Sequence, residues 1–254
     1  GANASIGLGI VARAPADGYT IVIAPVGPYA VNPHLYKLPY DVLNDFAPII
    51  HATSTPGLLV VNPAVPAKTV KELIALAKQK PDELNYGSTG VGGFGHMSGA
   101  LFASMTGIRI VHVPYKSFPA ALTDLISGEV QVLIAPLSSL FPMIKDGKIK
   151  AIAVSTDRRD PYLPDLPTFA EQGYPNMTFI GWNGFHLNAK TPPEIVRKIY
   201  SDTAKVISEP DFISKAQQMG YQLMSLNPEE AKEMQLNDFK KFSVIVKKSN
   251  IIVD

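Results

Sequence analysis

The segment "NYGSTGVGGFGHMSG" (85–99) gathers residue types that can hold an anion: Gly90, Gly92, Gly93 and Gly95 stand beside the hydroxyls of Ser88 and Thr89. Glycine lets a ligand approach the backbone closely. Amides exposed where a helix begins attract negative charge through unpaired N–H donors and the helix dipole. An anion at this loop is the reading these residues support, and a tight strand-to-helix turn that binds nothing is the plain alternative. Gly90, Gly92 and Gly95 also match the dinucleotide fingerprint G-x-G-x-x-G letter for letter. That fingerprint needs an acidic residue about 20 residues on, at the end of the next strand. Here the next strand closes on "HVPYKS", with no Asp or Glu before Asp124, which falls inside a helical stretch. A phosphate-binding G-x-x-x-x-G-K-[ST] loop fails as well, because His96 and Met97 follow Gly95. A nucleotide-dependent enzyme using the loop 87–95 stays open as the alternative to a binding protein.

Other chemistries find less support. His34, His51, His96, His112 and His186 show neither H-x-H nor H-E-x-x-H spacing, so no metal site is expected. Tyr86 and Gly87 precede Ser88, which misplaces the first glycine of a G-x-S-x-G elbow and leaves only a hydrolase assembled from dispersed residues. Glu72, Glu83, Asp124 and Glu129 read as solvated surface charge. There is no cysteine, which removes disulfides and thiolate chemistry. No catalytic residue and no cofactor is expected. A formal net charge of +1 without a block of like charges argues against nucleic acid as a partner. No apolar run reaches the roughly 18 residues of a membrane span, and no leader opens the chain. The chain is therefore read as cytoplasmic, or as mature after loss of a leader.

At 254 residues the chain suits one large domain or two lobes. "YTIVIAP" (19–25) and "GLLVVNP" (57–63) read as strands buried on both faces. "KTVKELIALAKQKP" reads as a helix capped by Thr69, with Glu72 completing a capping box and Pro81 ending it. Strand and helix then alternate: strand "ELNYGS", helix 96–106, strand 108–115, helix 119–128, strand 130–136, helix 138–147 and strand 149–156. A parallel sheet covered by helices follows from that alternation. After a proline-rich stretch, "GWNGFHLNA" reads as another strand, and helical segments follow near 192–208, 210–219 and 228–247, with the short apolar "YQLMSL" between the last two. The expected architecture is α/β, with a second lobe over 66–180 inserted into a first lobe made of 1–65 and 181–254.

The ordered motifs "ARAPADGYTIVIA", "AVNPHLY", "LLVVNPAVPAKTVKELIALAKQKPDELNYGSTGVGGFGH", "VPYKS", "LISGEVQVLIA", "DGKIKAIAVSTDRR", "LPDLPTFAEQGYP" and "GWNGF" resemble the solute-binding receptors of tripartite tricarboxylate transporters, the Bug receptor family. The resemblance implies a two-lobed binding protein of the periplasmic type II kind, each lobe a sheet flanked by helices. It implies a monomer in the periplasm that captures a small carboxylate and passes it to the membrane components of a transporter. By the same resemblance the ligand contacts fall on Ser88, Thr89, Gly90, Gly92, Gly93 and Gly95. The first lobe's segment "APVGPYAVN" puts forward Gly27, Tyr29 and Asn32.

Departures from the family pattern carry expectations too. Members usually begin with a strand and a ligand-gripping loop ahead of "GANASIG", so the chain is read as lacking that segment and its first lobe as short of a central strand. Amino-acid-binding members tend to carry an aspartate where the strand "VQVLIAP" ends, whereas here Ala135 and Pro136 stand. A ligand ammonium would lack a charged partner there, which favours a carboxylate without an amino group. Phe94 and Phe118 replace small residues, so an aromatic acid stands beside a di- or tricarboxylate as ligand.

Overall fold

The computed structural model describes residues 5–248. Helix α1 (Ser5–Val11), strand β1 (Val22–Pro25) and the short helices α2 (Val26–Ala30) and α3 (Asn32–Leu35) lead into one long strand, β2 (Phe46–Val61). The alternating block follows as α4 (Val70–Gln79), β3 (Asn85–Ser88), α5 (Phe94–Thr106), β4 (Val111–Pro114), α6 (Phe118–Ser127), β5 (Val132–Pro136), α7 (Leu137–Lys145) and β6 (Lys150–Val154). Strand β7 (Ile180–Asn188), helices α8 (Pro193–Ile207) and α9 (Pro210–Gln218), strand β8 (Gln222–Leu226) and helix α10 (Pro228–Lys248) come last.

The chain divides into two compact units: residues up to Ser54 together with those from Trp182 onward, and Thr55–Gly181. The first crossing thus lies at Ser54/Thr55 and not at 65/66. The reason is pairing: the Leu58–Val61 half of β2 bonds to β5 and β6, which ties it to the second unit.

In the second unit the strands lie in the order β6, β2, β5, β3, β4. The parallel sheet expected from the alternation is in fact mixed. β3 runs parallel to both β4 and β5, but β2 enters antiparallel between β5 and β6. The run "LLVV" is buried on both faces because successive side chains point to opposite sides of a sheet. Leu59 and Val61 join Val70, Leu73, Phe102 and Phe169 on one side. Leu58 and Val60 join Ala121, Leu125, Leu137 and Leu140 on the other. Each such side chain fully removed from water stabilises the unit by roughly 1.5–3 kcal/mol before entropy is counted.

In the first unit β1 pairs antiparallel with β7, and β2 pairs antiparallel with β8 through a register shift between His51 and Thr53. "YTIVIAP" is not the buried central strand its composition suggests. Among the described residues β1 bonds to β7 alone, and Ile23 is left 59 % exposed. The core of this unit packs Ile49, Ile50, Ala52 and Leu187 against Ile207 and the apolar face of α8.

Candidate ligand-binding site

Strand β3 ends at Ser88 and α5 begins at Phe94, so the glycine loop spans the carboxyl end of a strand and the start of a helix. Gly90 and Gly92 adopt φ of 111° and 75°, a left-handed conformation that L residues with side chains rarely take. Close packing fixes where the helix starts. A Cβ on Gly95 would sit 2.7 Å from the carbonyl oxygen of Ile134, and one on Gly99 would run into the Tyr86 ring. Glycine at both positions lets α5 lie directly on β5 and β3.

The loop amides are not all available to a ligand, contrary to the expectation of unpaired donors throughout 88–95. The Gly90 amide donates to Ser88 Oγ at 3.2 Å, the Gly92 amide to His96 Nδ1 at 3.0 Å, and the Gly93 amide to the Gly90 carbonyl at 3.3 Å. A tight turn has to satisfy its buried donors, and this one does so internally. The free donors lie one step on. Gly93 is the N-cap residue of α5 and supplies no side-chain cap, and no hydrogen bond among the described residues uses the amides of Phe94, Gly95 or His96. These are the first-turn donors that a helix of 13 residues leaves open.

That first turn borders a cavity of about 190 Å³ lined by Gly87, Ser88, Thr89, Phe94, Gly95, Phe118, Ala121, Leu133, Ile134, Ala135, Pro136 and Ser139. Three hydroxyls and the backbone make up its polar part, and no lining residue carries a charge. Of the residues singled out in the sequence, Ser88, Thr89, Gly95 and Ala135 meet here, while Gly90, Gly92 and Gly93 shape the turn without lining the cavity. A larger cavity of about 440 Å³, between Asn62, Lys80, Glu83 and Gln131, lies beside the amino ends of β3 and β5. Ligands of open α/β sheets sit at the carboxyl ends of strands, which favours the smaller cavity.

Gly27, Tyr29 and Asn32 belong to the first unit and are occupied there. The Gly27 carbonyl accepts from the Val31 amide, and Asn32 Nδ2 donates to Ser5 Oγ at 2.9 Å. Tyr29 packs its ring against His186 and Phe46, with centroids at 4.2 and 5.5 Å. Its buried hydroxyl has no partner among the described residues, and burial raises its pKa well above the ordinary value.

Sequence reasoning passed over the histidines beneath the loop. His112, on β4 opposite Tyr86, places Nε2 2.6 Å from Ser88 Oγ and stacks on His96 at 4.1 Å. Burial first, and then His96, lowers the His112 pKa to about 4, and burial lowers that of His96. Both rings are neutral at pH 7. The missing signal was distance: His112 lies 24 residues from Ser88 and only strand pairing joins them. Asp124, the first acidic residue after β4, accepts the Tyr115 hydroxyl at 2.7 Å. Its carboxylate is thus taken up by the protein itself. Among the described residues no three metal-ligating side chains come together, and no helix is long and apolar enough to cross a membrane.

Comparison with known proteins identifies the family and the fold. The family model described as "Tripartite tricarboxylate transporter family receptor" matches residues 1–251. Protein BugT of Bordetella pertussis is 32 % identical over 198 residues, 77 % of this chain and 61 % of the relative. An R. palustris protein solved with adipate superposes with a TM-score of 0.91 at 34 % identity, covering 99 % of this chain and 85 % of that one. MatC from Rhodopseudomonas palustris, with bound malate, superposes at 0.87 with 25 % identity, covering 97 % and 85 %. The chain spans 61 to 74 % of the length of three curated relatives it matches. Two α/β units, each with a sheet flanked by helices, agree with the fold of these solved relatives. The chain belongs to the tripartite tricarboxylate transporter receptor family.

Proposed function

We propose that the chain is a periplasmic solute-binding receptor that captures a small carboxylate without an amino group, either a di- or tricarboxylate or an aromatic acid, for a tripartite tricarboxylate transporter. The observation that carries this reading is the uncapped first turn of α5 opening on an uncharged cavity with Ser88 and Thr89 at its rim. A carboxylate oxygen accepts from the amides of Phe94 and Gly95, and charge-assisted bonds of this kind are about twice as strong as neutral ones. Ala135, 5 % exposed in the cavity wall, offers no counter-charge to an ammonium, which supports a ligand lacking one. The chain binds and releases its ligand without chemical change. The relatives solved with adipate and with malate support the ligand class.

A thermal-shift panel of adipate, malate, succinate, citrate, benzoate, aspartate, NADH and ATP tests the proposal. One or more of the acids without an amino group should raise the melting temperature, with aspartate and both nucleotides inert. Ser88→Ala should weaken the best acid about tenfold to a hundredfold, the worth of one hydrogen bond to a charged group. A shift with NADH or ATP alone would replace the receptor with a nucleotide-dependent enzyme using the same loop.

A further inference from the structure

The Ser88 hydroxyl has one hydrogen and two lone pairs, and three partners inside the protein compete for them. The Gly90 amide donates to Oγ, the Gly90 carbonyl lies 3.1 Å away as an acceptor, and His112 Nε2 lies 2.6 Å away. If His112 carries its proton on Nδ1, Nε2 is an acceptor and draws the Ser88 hydrogen inward. Oγ then shows the cavity only a lone pair, which repels a carboxylate. If His112 carries its proton on Nε2, that N–H donates to Oγ. Both lone pairs are then filled by N–H donors, and the hydroxyl hydrogen is free to swing from the Gly90 carbonyl to a ligand oxygen.

We propose that His112 is a positioning residue: in the ligand-bound protein it holds its proton on Nε2 and donates it to Ser88, which turns the serine hydrogen toward the carboxylate. The inference rests on the proposal that this loop binds a carboxylate, and it assigns to a ring buried behind the loop the choice between attraction and repulsion at Ser88. Tyr86 on β3 and His96 on α5 are the titratable groups that face the ring, with centroids at 5.0 and 4.1 Å. His96 is itself fixed as an acceptor at Nδ1 by the Gly92 amide. Neither neighbour brings a negative charge that would hold His112 as an imidazolium. The neutral ring is free to choose its tautomer.

The test uses the full chain and the tightest binder among adipate, malate, succinate, citrate and benzoate. In ¹⁵N-histidine NMR the saturated protein should show His112 protonated on Nε2, the signal being assigned by its loss in His112→Gln. A bound-state ring protonated on Nδ1 alone overturns the inference. His112→Gln places an amide donor near the former Nε2 and should bind within about threefold of wild type, whereas His112→Phe, checked for a normal melt, should lose about tenfold to a hundredfold. Because His112 acts through Ser88, His112→Phe should cost nothing further in a Ser88→Ala background. Full additivity of the two losses would show a merely structural role and sink the idea. If Ser88→Ala binds as tightly as wild type, or no acid of the panel binds at all, the carboxylate reading itself fails and takes the inference with it. If Ser88→Ala weakens binding while His112→Phe does not, only the inference fails.

Discussion

Phe94 and Phe118 both line the cavity beside Ser88, but they are held differently. Phe94 meets Phe179 edge-on at 5.9 Å and packs on the core that contains Phe102 and Phe169. Phe118 sits at the first position of α6 and packs against the opposite core, beside Ala121 and Leu125. Truncating Phe94 therefore disturbs folding, while Phe118 is the cleaner probe of the ligand's body. Phe118→Ala removes an apolar wall of some tens of Å², worth about 1.4 kcal/mol at roughly 25 cal/mol per Å². Benzoate or adipate, if bound by wild type, should weaken about tenfold in that variant, while acetate, too short to touch the ring, should be unaffected. Calorimetric titration of both ligands checks this, and equal losses for the two would remove Phe118 from the wall. Ser88, Thr89 and Phe94 were legible in the sequence because they stand close together along it, and Phe118 because it replaces a residue that is small in the family it resembles. The role of His112 was not, since it depends on strand pairing that residue types do not encode.

In the proposed site the placement of helix α5 matters more than its composition. Gly95 and Gly99, one turn apart, bring its axis down onto β5 and β3, so that the first-turn amides open at the strand ends. Gly95→Ala would set a methyl group 2.7 Å from the Ile134 carbonyl, and backbone oxygen cannot rotate out of the way as a side chain can. The helix must lift, at a stability cost of about 1–3 kcal/mol and with loss of more than tenfold in carboxylate affinity. Helix α4 provides the control. Thr69 Oγ1 accepts from the Glu72 amide at 3.2 Å, so Thr69→Ala should cost about 1 kcal/mol in denaturant unfolding and leave affinity unchanged. Equal affinity losses in the two variants would show that Gly95 acts through general stability alone. The cap at Thr69 could be read from its motif, although the Glu72 carboxylate reaches the Lys68 amide and not that of Thr69. The short helices α2 and α3 escaped the sequence reading because each is a turn or so long and holds a proline, so tertiary packing decides them and periodicity does not.

At the scale of the whole chain, the alternation of strand and helix in the second unit was legible because each element is short, apolar and punctuated by proline or glycine. The path of β2 was not. "HATSTPG" in the middle of that strand reads as turn chemistry, yet both of its ends are claimed by sheets. Buried histidines are a second property visible only in three dimensions. Burial is the largest cause that lowers the pKa of all five: His34, His51, His96, His112 and His186. In the first unit Gln235 Nε2 lies against both His51 and His186, and His51 stacks on Trp182 at 4.0 Å. An unfolded histidine titrates near 6.5 and His51 in place near 4, so between those values the unfolded chain takes up protons that the native protein refuses. Stability must fall as the pH drops below about 6.5. Asp238, whose pKa burial raises while the Trp182 indole donates to it, works in the opposite sense, losing stability as pH rises, but it is one group against five. For His51, fully buried, the loss at pH 5 reaches about 2 kcal/mol, at 1.36 kcal/mol per unit. Urea unfolding of the ligand-free protein should therefore give lower midpoints at pH 5 than at pH 7 in the transitions of both units, since each carries buried histidines. In His51→Phe, which removes one proton acceptor and keeps an aromatic ring against Trp182, the first unit's shift should shrink. A midpoint at pH 5 equal to or above that at pH 7 would mean that these rings are hydrated in the native protein.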